Sequence, residues 1–222
     1  MTPKGYIFDY GGTLDTGGCH WGKVLWHGWQ QAGVPATEAQ FREAYVYAER
    51  TLGKNPIIQP DYTFHKTLET KVHLELEFLG LDSYATDIVD SIYEATRQHT
   101  AHSRDVLRQL QAPKVLVSNF YGNISTVLRE FDFDGLFQSI VESAVVGVRK
   151  PDPRIFTLGV EALGMRPDEV VVVGDSIDKD IIPARKAGCQ TVWVRGEQWT
   201  DDPVDETIAD CVVDDLAELL SK

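Results

Sequence analysis

Apolar residues in this chain fall into two kinds of run. The first kind is short and ends on a polar residue or glycine: Tyr6-Ile7-Phe8 before Asp9, Val115-Leu116-Val117 before Ser118 and Asn119, Val170 to Val173 before Gly174 and Asp175, and Thr191 to Val194. Continuous runs of this length mark strands buried on both faces, as in a parallel sheet. Helical stripes lie between them, through Val127, Leu128 and Phe131, through Ile155, Leu158 and Leu163, and in the segment that ends at Ala187-Gly188. Buried strands alternating with helices predict an α/β fold with a Rossmann-like parallel sheet. A short closing helix is predicted over Leu216 to Leu220.

From about residue 16 to residue 100 the strand signal disappears and the period becomes helical. Trp21, Leu25 and Trp29 recur at helical spacing, Thr37 with Gln40 forms a capping box, and Val72, Leu76 and Leu79, then Ile88, Ile92 and Ala95, make two further stripes. The pattern divides the chain into a core of residues 1–15 and 101–222 and an inserted all-helical domain of about four helices over 16–100. Asp15 to Gly18, with its paired glycines, is the predicted outgoing hinge, and the return is expected near Thr100 to Arg104.

Composition narrows the function. The 222 residues carry a formal net charge of −13, which repels polyanions and supplies no basic stripe for nucleic acid. No apolar run approaches the ~18 residues of a membrane span, and Met1 to Gly5 lead into a strand without a basic region and apolar signal core, so a cytoplasmic location is expected. Cys19, Cys189 and Cys211 are widely spaced, odd in number and without a zinc pattern, which fits reduced thiols. A small anionic metabolite is the expected ligand, and on so acidic a chain it needs a local positive site. No signal for an oligomeric state is present.

The chemistry concentrates in four elements: Asp9-Tyr10-Gly11-Gly12-Thr13-Leu14-Asp15, Ser118-Asn119, Arg149-Lys150-Pro151-Asp152-Pro153, and Gly174-Asp175-Ser176-Ile177-Asp178-Lys179-Asp180. Each lies where a strand ends or a helix begins, the edge at which open α/β sheets bind ligands. A single aspartate after a strand usually caps a helix, and a Gly-Asp pair usually makes a turn. It is the four together, in this order and context, that carry meaning. They resemble the four motifs of the haloacid dehalogenase (HAD) superfamily hydrolases, in a phosphatase-like branch. The resemblance spans essentially the whole chain, with residues 16–100 in the place of a helical C1-type cap and 209–220 in the place of the closing strand and helix.

Physical logic supports the same roles. Asp9 at a strand end is a carboxylate nucleophile able to form an acyl phosphate. A hard cation held by Asp9, Asp175 and the backbone carbonyl of Gly11, with Ser176 and Asp180 behind, would offset the repulsion between carboxylate and phosphate through the oxygen ligands that Mg2+ prefers. Ser118, Lys150, Asn119 and the amides of Gly11, Gly12 and Thr13 are the expected phosphate donors, with Asp9, Ser118 and Lys150 forming the catalytic set. Asp15 and Asp178 read as structural or supporting.

One position departs from the pattern. Phosphatases and phosphomutases that resemble this chain carry a second aspartate two residues after the nucleophile, as general acid and base; here that residue is Gly11. Its loss commonly costs about 100-fold to 10,000-fold in rate, so a slow or specialised phosphatase is expected, and a phosphomutase is not. His20, His27 and His65 are the replacement proton carriers to consider, although an ordinary packed or surface histidine is the commoner case. Two alternatives stay open: a phosphonate-cleaving hydrolase, which needs a cap lysine (Lys23, Lys54, Lys66 and Lys71 read instead as a solvated face), and a non-catalytic protein that binds phosphate ligands. The cap aromatics Trp21, Trp26, Trp29, Tyr45, Tyr47 and Tyr62 read as core before they read as a stacking surface.

Overall fold

The computed structural model describes residues 3–200 and 202–221. Six parallel strands form one sheet in the order β3-β2-β1-β4-β5-β6. They are β1 Gly5–Phe8, β2 Lys114–Ser118, β3 Ser139–Glu142, β4 Val170–Gly174, β5 Gln190–Val194 and β6 Cys211–Val213. The α-helices are α1 Trp21–Gln31, α2 Glu38–Lys54, α3 Phe64–Leu79, α4 Ala85–Gln109, α5 Ile124–Glu130, α6 Ser143–Val146, α7 Arg154–Leu163 and α8 Ile182–Lys186.

The apolar runs become strands because both faces of the sheet are covered. Tyr6 and Phe8 point into a core shared with α4, α5 and the inserted helices, while Ile7 points to α7, with Ile155, Phe156 and Val160. β1 lies between β2 and β4, pairing Ile7 with Val115 and Val172. The chain therefore continues outward to β3 on one side of β1 and to β6 on the other. That divergence opens a crevice at the carboxyl ends of the central strands, where Asp9, Ser118 and Asp175 emerge.

The insert consists of α1 to α4, as the stripes predict, and the Thr37–Gln40 capping box is present at the start of α2. Two details differ from the sequence reading. The buried stripe of α4 runs through Ile88, Ile92 and Thr96 while Ala95 is exposed. In addition, α4 is one continuous 25-residue helix, so no loop interrupts the chain at 100–104. The return to the core is the rigid lower half of α4, whose Val106 and Leu107 already pack in the main cluster. The closing segment Leu216–Ser221 is a 3-10 helix. The strand β3 has no counterpart among the predicted elements. Among the described residues, no helix is long and apolar enough to cross a membrane.

Candidate active site

Asp9 follows β1 directly, and its N–H donates to the Val173 carbonyl of β4 at 3.0 Å, which anchors it at the strand ends. The chain then turns sharply, with the Leu14 N–H returning to the Tyr10 carbonyl at 2.8 Å. Gly12 is required in this turn: its φ is +103°, and a Cβ there would lie 2.4 Å from the Asp175 carboxylate. The turn thus brings the β1 loop against the β4 loop.

Three carboxylates meet at this point. Asp9, Asp175 and Asp180 are all buried, each offering one oxygen within 4.8 Å of the others. The Thr13 hydroxyl lies against two of them, 3.2 Å from Asp9 Oδ2 and 3.0 Å from Asp175 Oδ1. Lys150 is the buried counter-cation, paired with Asp9 and, at 2.7 Å, with Asp180. One ammonium does not balance three carboxylates. Burial pushes Asp9 up to about 6 although Lys150 pulls it down, and Asp175 rises well above the carboxylate range through burial and then the charges of Asp180 and Asp9. A buried, oxygen-only set with surplus negative charge is what a hard divalent cation such as Mg2+ compensates, so the residues fit that ion. Asp180 offers an oxygen to this cluster while pairing with Lys150, whereas Asp178 is exposed.

The other expected donors divide. Ser118, at the end of β2, lines the cavity above Asp9 together with Gly11, Asn119, Lys150 and Ser176. Asn119 is turned to Lys150: it accepts the Lys150 N–H at 2.9 Å and donates to the Lys150 carbonyl at 3.1 Å. The Gly12 N–H donates to Asp15 at 2.7 Å and the Thr13 N–H to the Tyr10 carbonyl at 3.2 Å, so both amides are engaged within the turn. Ser176 caps the next turn by accepting the Lys179 N–H at 3.1 Å, and its own N–H holds Asp180 Oδ2 at 3.1 Å. Asp15 is fully buried and is pushed up to about 8 by burial and the Asp9 charge, against the hydrogen bonds from Gly12 and Trp21.

The insert lines one side of the cavity, whose volume is about 170 Å³. From it come Trp21, Tyr45, Glu49, Phe64 and Lys71, with His20 at the hinge. Of the aromatics, Trp21 and Tyr45 face the cavity, while Trp29 packs against Phe41 in the core. Two of the lysines assigned to a solvated face are buried. Lys23 lies 3.8 Å from both Glu38 and Glu197. Lys71 pairs with Glu49, stacks over Tyr45 at 4.3 Å and is held well above the ordinary lysine range: burial pulls it down most strongly, but Glu49, Tyr45, Tyr121 and Glu75 together outweigh it. An amine kept protonated in this way is unsuited to Schiff-base chemistry. Tyr121 donates to the same Glu49 at 3.0 Å, tying the β2 loop to α2.

Of the three histidines, His20 alone reaches the cavity; it caps α1 by accepting the Gly22 N–H at 3.0 Å, and burial, then Lys179 and Lys71, lower it to about 4. His27 is exposed and paired with Glu197 at 2.7 Å, and His65 packs edge-on against Tyr93. Sequence reading also missed the loop after β5. Trp199 packs on Tyr45 at 4.9 Å and under Arg42 at 4.2 Å, joining core to cap through contacts too distant in sequence to leave a local signal.

Comparison with known proteins gives the family. The haloacid dehalogenase-like hydrolase family matches residues 3–188. The chain belongs to that family. It is 42% identical over 86 residues to a glyceraldehyde 3-phosphate phosphatase of Methanopyrus kandleri, covering 38% of this chain and 37% of that one. It is 41% identical over 83 residues to a phosphoserine phosphatase of Thermus thermophilus, covering 37% and 32%. The chain thus spans about a third of the length of each of these relatives. Among solved structures, a HAD phosphatase from Thermococcus onnurineus superposes with a TM-score of 0.56 at 21% identity, covering 98% of this chain and 96% of that one. The inserted α1–α4 occupy the position of a cap in this HAD hydrolase.

Proposed function

We propose that this HAD hydrolase is a magnesium-dependent phosphatase of a small phosphorylated metabolite, acting through an aspartyl phosphate on Asp9. The observation that carries the reading is the junction of Asp9 with Asp175, Asp180 and Lys150 in one cavity between the sheet edge and the inserted helices. Asp9 and Asp175, with the Gly11 carbonyl, would hold Mg2+, whose positive charge would let a phosphate approach a carboxylate. Lys150 leaves Asp9 for a phosphoryl oxygen as substrate enters, and Ser118 donates to a second oxygen. Asn119 keeps the Lys150 backbone fixed while the side chain changes partner. The cap excludes water during transfer to Asp9. The protonated state of Lys71 argues against the phosphonate-cleaving alternative.

The test is phosphate release from a panel of phosphorylated metabolites and an activated aryl phosphate, with Mg2+ and with chelator, in the wild type and Asp9→Asn. Metal-dependent release that disappears in a folded Asp9→Asn is the expected result. Undiminished release in the variant would remove Asp9 as nucleophile, and no release from any compound would favour a ligand-binding role.

A further inference from the structure

Gly11 leaves the nucleophile without an adjacent proton donor, and Trp21 is the side chain that borders this position. A Cβ on Gly11 would lie 3.6 Å from both Cδ1 and Nε1 of Trp21, an ordinary contact distance, so the indole flanks residue 11 on the cavity side. The indole N–H donates to Asp15 Oδ2 at 3.0 Å, and Asp15 Oδ1 accepts the Gly12 N–H at 2.7 Å. Asp15 therefore ties the nucleophile loop to the first cap helix, and with both oxygens accepting it holds the ring in one orientation. Further rings line the same cavity. Trp21 packs against Phe64 at 5.6 Å, and Phe120 with Tyr121, 5.4 Å apart, line the cavity from the core.

Resting on the phosphatase reading above, we infer that Trp21, oriented by Asp15, is the leaving-group wall of the cavity and selects phosphate esters of planar aromatic alcohols. An alkoxide needs a proton as it departs, whereas a phenolate, whose conjugate acid resembles tyrosine with a pKa of about 10, departs far more readily without one. The ring that borders Gly11 is also a face on which an aromatic leaving group stacks. In the transfer, an Asp9 oxygen bonds to phosphorus as the ester P–O bond breaks, and the electron pair leaves on the phenolic oxygen, which later takes a proton from water. Water then cleaves the aspartyl phosphate, releasing inorganic phosphate and restoring the Asp9 carboxylate. Trp21 is a specificity residue in this scheme, and Asp15 a positioning residue.

The experiment measures kcat/KM with Mg2+ for 4-nitrophenyl, phenyl and glycerol phosphate in the wild type, Trp21→Leu, Trp21→Phe and Asp15→Asn. Alongside it, calorimetry measures binding of phenyl and glycerol phosphate to Asp9→Asn with and without Trp21→Leu. The expected result is a fall of about 100-fold or more from phenyl to glycerol phosphate, the usual scale of a missing general acid. Adding Trp21→Leu should weaken phenyl phosphate about 3- to 10-fold while leaving glycerol phosphate unchanged. Trp21→Phe keeps a ring but loses the N–H to Asp15, and should retain part of the preference even where the leucine variant folds poorly. Equal rates for phenyl and glycerol phosphate, with metal-dependent release intact, would overturn this inference alone. A shallow dependence that becomes steep in Asp15→Asn would also overturn it, by making Asp15 the proton donor. Absence of release from every ester would instead remove the phosphatase reading beneath it.

Discussion

Asn119 grips the backbone of Lys150 from both sides, accepting its N–H at 2.9 Å and donating to its carbonyl at 3.1 Å. The two residues sit on different loops, after β2 and before α7, and this pair of bonds fixes where the Lys150 ammonium reaches. Asn119→Ala should leave the sheet intact but lower kcat about 10- to 100-fold, since small misplacements at a reacting centre have costs of that order. Asn119→Asp keeps the acceptor and loses the donor, so it should fall between. Steady-state kinetics on both variants checks the order, and an alanine variant with unchanged kcat would assign the hold on Lys150 to something else.

The three buried carboxylates oppose one another as strongly as they would favour a cation. Asp175 is the most perturbed member, and Asp175→Asn removes one charge from the cluster with little change of shape. Without metal, the variant should be more stable than the wild type by about 1–3 kcal/mol, or roughly 2–10 °C in Tm. Addition of Mg2+ should raise the Tm of the wild type and barely move that of the variant. Thermal melts in Mg2+ and in chelator decide it; a variant less stable than the wild type in chelator would mean that hydrogen bonding, not repulsion, dominates at Asp175.

These predictions draw unevenly on what the sequence makes visible. β1, β2, β4 and β5 were legible because strands covered on both faces write uninterrupted apolar runs, and Asp9 and Asp175 stood out as candidates because each follows such a run. β3 was not: its apolar content is Ile140 and Val141, and Ile140 is 36% exposed at its place near the sheet edge. The cap stripes revealed which face of each helix is buried but not what that face meets. Hence Lys71 was placed in solvent and Trp21 in the core, although one pairs with Glu49 inside the cavity and the other stands over Gly11. The two-way role of Asn119 depends on a loop 31 residues away and has no local signature.

Glu75 carries a pH dependence separate from the catalytic cluster. It lies on the inner face of α3, fully buried, with Lys71 on its own helix, Glu49 from α2 and the indole of Trp29 from α1 as its charged and polar neighbours. Burial pushes it up to about 8, against the pull of Lys71. Glu49 stays below its ordinary value, because Lys71 and Tyr121 outweigh its burial, and Lys71 stays well above its own, so neither neighbour titrates in the same window. Below an unfolded value near 4.3 the carboxyl is protonated in both states and contributes nothing. Between there and about 8 the folded protein keeps a proton that the unfolded chain has released, so stability falls as pH rises and levels off above the folded value. Glu75→Gln is neutral throughout and escapes this loss. Its advantage over the wild type should be small at pH 5, grow steadily, and reach about 2–5 kcal/mol by pH 8–9. Other perturbed carboxyls are common to both proteins and cancel in the difference. Denaturant unfolding of the pair at several pH values measures that difference directly, and two parallel curves would show that Glu75 is ionised in the folded cap.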